Sequence, residues 1–207
     1  TEAKLEAIDK NKKLSEKEKI KAKAEVAKAA IAVVEAINEA TDQATVDAKV
    51  MEGTQAISLV AEVGKDKAKA AVDSALSDKE TAIDSNAKLS DTEKSAAKSV
   101  AKKAAEDAKK AIDSATTQAE VDAKVTEGTQ AISSVAEVGK DQAKAAIDSA
   151  LSAKETAIDA NDKLSDAEKS AAKVAAKKAA EDAKKAIDSA TTQAEVDEAK
   201  TTGITAI

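Results

Sequence analysis

The side chains in this sequence that could act as acid, base or nucleophile are carboxylates, lysines and hydroxyls. The 207 residues include no His, Cys or Tyr, and every basic residue is Lys. Catalysis would therefore depend on paired carboxylates or on an activated Lys or hydroxyl. The candidate pairs are Glu106 with Asp107 and Glu120 with Asp122. Each lies beside lysines on a predicted polar helix face, so we interpret both pairs as solvated, ion-pairing residues and expect no enzyme activity.

Composition also argues against several kinds of binding site. No segment has the alternating oxygen ligands of a calcium loop, so we expect neither a metal nor a cofactor. The net charge of −6 opposes binding to nucleic acid, and no aromatic side chain is present to stack on bases or sugars. No run of about 18 apolar residues occurs, so we expect no membrane contact. The Lys-rich segment Lys98–Lys110 is interrupted by acidic residues and is interpreted as a solvated face.

A tandem repeat organises the chain. The segment Ala111–Asp122 (AIDSATTQAEVD) returns unchanged at Ala186–Asp197, and a looser version lies at Ala36–Asp47, so that the step between neighbouring copies is the same both times. Such a period predicts units that contact only their neighbours. We expect an N-terminally truncated repeat 1 at residues 1–63, a complete repeat 2 at 64–138 and a C-terminally truncated repeat 3 at 139–207. The whole is then expected to be a fragment of a longer array.

Capping boxes mark helix starts at the same places in each repeat. In this motif a Ser or Thr side chain bonds the backbone N–H three residues on, and a Glu at that position bonds back. Apolar residues at steps of three and four follow each box, which indicates helices. Each repeat is therefore predicted to contain three helices, A, B and C. The predicted boxes are Ser15/Glu18, Ser90/Glu93 and Ser165/Glu168 for helix B, and Thr117/Glu120 and Thr192/Glu195 for helix C, with Asp42 as the cap in repeat 1.

Alanine occupies most of the predicted core positions of helix B. Apolar side chains recur there every three or four residues, and charged ones fill the positions between. Side chains this small cannot fill a wide core, so we expect the helices to lie close together in a slim body. The predicted stripe in repeat 2 consists of Ala97, Ala101, Ala104, Ala108, Ala111/Ile112 and Ala115.

Five glycines recur at two positions of the repeat. Gly53, Gly128 and Gly203 fall on the apolar face of helix C, although Gly within a helix costs about 1 kcal/mol relative to Ala. We predict that they allow close helix contact; a helix break there is the alternative. Gly64 and Gly139 lie between helix C and the next helix A. Because the heptad steps continue across them, we predict a continuous, stiff helix at each junction, with a glycine C-cap and a restarted helix as the alternative.

The predicted fold is all-α: tandem three-helix bundles stacked end to end into an elongated rod, with near-continuous helices joining neighbouring repeats. Helices of about 20–24 residues would be about 30–36 Å long, which sets the advance per repeat. Repeat 1 departs from the pattern at Ile31 and Val34, where repeat 2 has Glu106 and Lys109. We interpret both as singly exposed aliphatic residues, with contact to a neighbouring surface as the alternative.

Several segments resemble a known family. The sequences KAAIDSA, KLSDAEK, AKKAAEDAKKAIDSATTQAEVD and EAKTTGITAI are similar to the tandem Ala-rich helical repeats of Gram-positive cell-wall-anchored surface proteins, catalogued as a domain of unknown function. The resemblance covers essentially the whole chain and is most specific in Ala186–Ile207. Repeat 2 departs from the pattern with Ala123-Lys124-Val125 in place of Glu198-Ala199-Lys200. The resemblance implies a stalk on a bacterial cell surface and supplies no catalytic residues.

The expected function is that of a structural spacer which projects an adhesive region from the cell wall. Tight recognition is disfavoured, because Trp, Tyr and Arg, the usual interface hot spots, are absent. The alternative is an adhesin module that associates weakly with host matrix or other cells through many copies. A disordered protectant chain is a further alternative, opposed by the capping boxes. The expected partners are neighbouring repeats of the same chain, which is otherwise expected to be a monomer.

Overall fold

The computed structural model describes every residue from Thr1 to Ile207, and all of its regular secondary structure is helical. The all-α prediction and the tandem arrangement are confirmed. None of the helices combines the length and the hydrophobicity that a membrane span requires. The helices are α1 (Glu2–Lys10), α2 (Glu16–Asn38), α3 (Gln43–Ser58), α4 (Asp66–Ser85), α5 (Asp91–Ser114), α6 (Gln118–Ser133), α7 (Asp141–Asp159), α8 (Asp166–Ser189) and α9 (Gln193–Ala206).

The chain forms two compact units, with one limit within α4, one within α5 and one directly after α6. Unit 1 contains Thr1–Ser77 and Lys102–Ser134. Unit 2 contains Asp78–Ala101 and Val135–Ile207. Each unit therefore includes the end of one repeat and the start of the next, so that contacts across a repeat boundary lie inside a compact body.

Repeat 3 forms a three-helix bundle in unit 2, in which α7, α8 and α9 all contact one another. Its core combines large residues from α7 and α9, such as Ile147 and Val196, with alanines of α8. The corresponding stripe on α5 differs from prediction at one step, because Ala105 is buried while Ala104 is only partly buried. The observed stripe is Ala97, Ala101, Ala105, Ala108, Ile112 and Ala115.

Glycine on the third helix of each repeat lies at a close helix contact. Gly128 is buried inside an unbroken α6, and a Cβ added to it would overlap the Cβ of Ala108 on α5. At Gly203 the added atom would overlap Ala183 and lie 2.9 Å from Ile147 Cδ1. Gly53 faces Val33 in the same way. The close-contact interpretation therefore holds, and the alternative of a helix break is wrong.

The predicted continuous helix across the junctions is wrong. After α3 and α6, residues 60–65 and 135–140 are non-helical, and helices restart at Asp66 and Asp141. The Gly C-cap is also not observed, because the C-caps are Leu59 and Ser134. The physical reason lies in the tertiary contacts. In a non-helical segment, valines three residues apart contact two different core clusters, whereas in a continuing helix they would lie on the same face.

Candidate functional site at the repeat junctions

The two junction segments, residues 60–65 and 135–140, join neighbouring repeats through their valines. Val60 packs against the cluster of Ile8, Leu14, Ala22 and Val26 in repeat 1. Val63 packs against the cluster of repeat 2 that includes Val72 and Ile112. In unit 2, the corresponding Val135 and Val138 pack against the clusters of repeats 2 and 3 respectively. Each segment is therefore held by apolar contacts on both sides of the boundary.

One glutamate at each junction caps two helices of different repeats. Glu93 Oε2 accepts a hydrogen bond from its own N-cap residue Ser90 (N–H, 2.9 Å), completing the capping box at the start of α5. Its other oxygen, Oε1, accepts from the backbone N–H groups of Lys140 (2.6 Å) and Asp141 (3.1 Å). These groups lie at the start of α7, where the side chain of the N-cap residue, Lys140, makes no capping hydrogen bond of its own. The carboxylate thus satisfies N–H groups that would otherwise be unpaired.

The same arrangement occurs at the first junction. Glu18 Oε2 accepts from Ser15 N–H (2.8 Å), and Oε1 accepts from Lys65 N–H (2.6 Å) and Asp66 N–H (3.0 Å). The Ser15 hydroxyl donates to Asp66 Oδ2 at 2.6 Å, as Ser90 donates to Asp141. We call Glu18 and Glu93 the bridging glutamates.

Hydrogen bonding decides the ionisation of the bridging glutamates. Partial burial raises the pKa of Glu93, but the hydrogen bonds from Ser90, Lys140 and Asp141 outweigh it, and the net pKa lies below the ordinary value of 4.5. The pKa of Glu18 is lowered by the same balance. Backbone N–H groups favour the charged form of a carboxylate, so both glutamates are anionic acceptors at neutral pH.

A second set of polar contacts fixes the glycine of each junction segment. The N–H of Gly139 donates to Gln193 Oε1 at 2.8 Å, and Gln193 Nε2 donates to Asp197 Oδ1 at 3.1 Å. Asp197 in turn pairs with Lys88 at 2.5 Å, on the turn before α5. This chain links repeat 2 with repeat 3. Gly64, Gln118, Asp122 and Lys13 form the same chain at the first junction.

Both junction glycines allow the chain to pass close to backbone of the preceding repeat. A Cβ at Gly139 would overlap the Lys88 carbonyl oxygen and lie 2.6 Å from its carbon, and Gly64 has the same relation to Lys13. Neither glycine has a positive φ. Glycine is therefore required here because the two backbones approach closely, and not because of an unusual backbone conformation.

An acidic residue in each junction segment forms a shielded ion pair. Glu137 binds Lys79 at 2.7 Å and accepts from Asn86 Nδ2 at 3.1 Å. The Lys79 and Glu137 side chains are 12% and 22% exposed, so this pair is better shielded from solvent than the exposed ion pairs along single helices. Glu62 makes the equivalent contacts with Lys4 and Asn11.

The structure divides the residues singled out in the sequence into two groups. Ser15 and Glu18 lie with Gly64 at one junction, and Ser90 and Glu93 lie with Gly139 at the other. The remaining residues act within single repeats: Ser165/Glu168, Thr117/Glu120 and Thr192/Glu195 form capping boxes at α8, α6 and α9, Asp42 caps α3, and Gly53, Gly128 and Gly203 lie at helix contacts.

Sequence reasoning missed the partners that complete each junction. Glu137, Asn86, Gln193 and Lys88 each recur as an identical residue one repeat earlier, but they lie on separate elements and form no local motif. The repeated segment Val-Ala-Glu-Val-Gly was the available signal, since two β-branched residues three apart before Gly favour an extended segment over a helix.

Three of the four carboxylates considered for catalysis, Asp107, Glu120 and Asp122, have structural partners. Asp107 pairs with Lys103 at 3.4 Å and with Lys110 at 3.9 Å. Glu120 belongs to the capping box of α6, and Asp122 to the first junction. An open groove between α8 and α9 is lined by six alanines and by polar residues, among which Glu195 caps α9. No group of three or more acidic side chains is placed to hold a metal ion.

Two of the three comparisons with known proteins gave no match. The chain matches the model of the family described as Domain of Unknown Function (DUF1542) twice, over residues 64–137 and 139–207. This description names no enzyme activity. The search of curated proteins and the search of solved structures found nothing similar. Each matched segment begins at a junction glycine. Because the family description names no function, the functional argument rests mainly on the geometry of the junctions.

Proposed function

The chain belongs to the DUF1542 family, a family of unknown function, and we propose that its repeats form a structural spacer that sets distance on a bacterial cell surface. A spacer of this kind requires that the repeats stack end to end into an elongated rod, so that each added repeat lengthens it by one further unit. The work of the chain is mechanical, and it neither catalyses a reaction nor recognises a particular small molecule.

The observation that carries this proposal is the repetition of the junction. Both junctions use the same residue types and nearly the same distances, including 2.6 Å from the bridging glutamate to the first backbone N–H of the following segment. Glycine, valine and ion-pair contacts recur with them. Because the junction is reproduced this closely, a further repeat can be added through the same contacts as the earlier ones. A spacer whose length varies by whole repeats needs this property.

Sequence identity between the repeats supports the same role. Lys65–Asp122 and Lys140–Asp197 differ at eight of 58 aligned positions. Duplication of near-identical copies changes the length of an array and leaves its chemistry unchanged. The resemblance to Gram-positive cell-wall-anchored proteins supplies the setting, in which the array holds an adhesive region away from the wall.

Small-angle X-ray scattering on this fragment and on one extended by a copy of residues 64–138 tests the proposal. A spacer requires the maximum dimension to grow by about one helix length, roughly 30–36 Å, for the added repeat. An extended fragment whose maximum dimension stays constant would reject the rod. Saturable, tight binding of a host matrix protein to this fragment would favour an adhesin module instead.

A further inference from the structure

A second apolar stripe lies on the solvent-facing side of α2 in repeat 1. It consists of Ile20, Ala24, Ala27, Ile31 and Val34, at steps of four, three, four and three, and we call it the outer stripe. Its large members are well exposed: Ile20 by 69%, Ile31 by 60% and Val34 by 56%. Both alanines are exposed as well. Ile31 and Val34 are therefore parts of a continuous helix face and are not isolated aliphatic residues.

The fold of the repeat does not require this apolar face. Helices α5 and α8 form at the same place in repeats 2 and 3, and their corresponding positions are mainly polar. The outer stripe is thus a property of repeat 1 alone, added to a helix whose core face is already packed against α1 and α3. The equivalent residues are Ser95, Ser99, Lys102, Glu106 and Lys109 in repeat 2, and Ser170, Val174, Lys177, Glu181 and Lys184 in repeat 3.

We propose that the outer stripe is an interface for a second copy of this chain, in which the two α2 helices pair in antiparallel orientation. Alternating steps of three and four form the contact seam of two-stranded coiled coils. An antiparallel pair centred on Ala29 places Ile31 opposite Ala27 of the other copy, and Val34 opposite Ala24. Ile31 and Val34 then each face an alanine, so the central parts of the two stripes interlock at a close helix separation, while Ile20 lies opposite Asn38 at the end of the seam.

The charges beside the outer stripe favour this partner and this orientation. Lys21 and Glu35 flank its two ends on the same side, both are exposed, and neither forms an ion pair within the chain. In the antiparallel pair, Lys21 lies beside Glu35 of the other copy, at both ends of the interface. A parallel pair would instead bring Lys23 beside Lys28. The one like-charged contact of the antiparallel pair is Lys28 with its own copy near the centre. Opposed helix dipoles favour the antiparallel pair further.

The size of the outer stripe indicates a weak association. From Ile20 to Val34 the seam is about 21 Å long, and two such helices bury less than the roughly 1,200–2,000 Å² of a standard stable interface. Weak contacts of this kind become effective where many copies are held close together. The inference goes beyond the proposed spacer role, which needs no lateral partner.

Sedimentation equilibrium from about 10 µM to 1 mM tests the association. We expect the weight-average mass to rise from 21.1 kDa towards twice that value as concentration increases. The variant I20S/I31E/V34K carries the residues that repeat 2 has at these positions, so it is expected to keep its helical circular dichroism while its dissociation constant rises at least tenfold. A mass that stays at 21.1 kDa, or a variant that associates as the parent does, would overturn the proposal.

Charge reversal and cross-linking test the orientation. Lys21→Glu should weaken association several-fold, and the double variant K21E/E35K should restore it. Because the chain lacks cysteine, single thiols report proximity: Lys28→Cys, near the centre, should form a disulfide-linked dimer on oxidation, whereas Lys17→Cys, beyond the end of the seam, should not. Dimers linked through position 17, or no rescue by the double charge reversal, would contradict the antiparallel pair.

Discussion

The two oxygens of a bridging glutamate serve two helices that are distant in sequence. Oε2 of Glu93 closes the capping box of α5, and Oε1 binds the N–H groups of the segment that starts α7, 47 and 48 residues later. Glu168 occupies the same position in repeat 3, but its carboxylate bonds only Ser165. The chain therefore contains a natural comparison between a glutamate that caps one helix and a glutamate that joins two repeats.

Replacing Glu93 with Gln should destabilise the chain more than the same change at Glu168. Gln keeps the size of the side chain but has one neutral acceptor and a donor NH₂ that cannot face a backbone N–H. We expect a loss of about 2 kcal/mol in the free energy of unfolding for Glu93→Gln, and a clearly smaller loss for Glu168→Gln, whose carboxylate is exposed. Urea denaturation followed by circular dichroism at pH 7 measures both. Equal losses would mean that the bonds to Lys140 and Asp141 contribute little.

Acid should weaken the junctions through the same residues. The folded-state pKa of Glu18 and Glu93 lies below the ordinary value of 4.5, so their contribution to stability is complete above about pH 4.5 and is lost as the pH falls through the folded-state pKa. We therefore expect the midpoint temperature of thermal unfolding to decrease as the pH is lowered from 5 to 3. Other carboxylates with lowered pKa values, such as Glu137, act in the same direction.

The double variant E18Q/E93Q isolates the bridging glutamates from these other groups. Its thermal midpoint should depend less on pH than that of the parent between pH 5 and pH 3, because Gln does not titrate. The single variant Glu168→Gln is the control and should keep most of the parent's dependence. If the thermal midpoint of the double variant changed with pH as much as that of the parent, other carboxylates would be responsible for the acid sensitivity.

At the scale of helices, glycine and alanine set the distance between the second and third helix in repeats 2 and 3. Gly128→Ala would raise the intrinsic helix propensity of α6 by about 1 kcal/mol, yet the added Cβ overlaps Ala108. We expect a net destabilisation of about 1–3 kcal/mol in the free energy of unfolding, measured by urea denaturation.

The exchange variant A108G/G128A is the matched control, because it moves the methyl group from one helix to the other. It should be more stable than Gly128→Ala alone, although Gly within α5 carries its own cost. If Gly128→Ala were more stable than the parent, the two helices would be able to move apart at Ala108 at little cost, and the gain in helix propensity would decide the net stability.

Local sequence patterns predicted the helices well because both ends and the core stripe of a helix are encoded within a few residues. The box of Ser90 and Glu93 marks the start of α5 at Asp91. The junctions follow a different rule. Val135 and Val138 pack against separate clusters, and the N–H of Gly139 is satisfied by Gln193, 54 residues away. Heptad spacing alone continues through this segment, so it predicted a helix where the tertiary contacts hold the chain in a non-helical conformation.

At the scale of the whole molecule, the compact units and the repeats have different limits. Each unit holds a complete junction with residues from both of the repeats that it joins. A repeat cut at its sequence boundaries would leave the bridging glutamate or the junction segment without a partner. Neighbouring repeats are therefore expected to stabilise one another, as in other arrays in which interface energies add to the energies of the single units.

A spacer made in this way should have stiff joints, and the second junction allows a direct test. Ser95 on α5 and Glu181 on α8 are exposed and lie in the same compact unit, on opposite sides of the boundary between repeats 2 and 3. With both changed to spin-labelled cysteines, double electron–electron resonance should give one narrow distance distribution at pH 7, because the hydrogen bonds and valines of the junction act together. Adding Glu93→Ala should broaden it, while adding Glu168→Ala should not, since Glu168 touches no junction segment. A broad distribution in the parent would show that Gly139 acts as a hinge, and the repeats would then form a flexible chain in place of a rod.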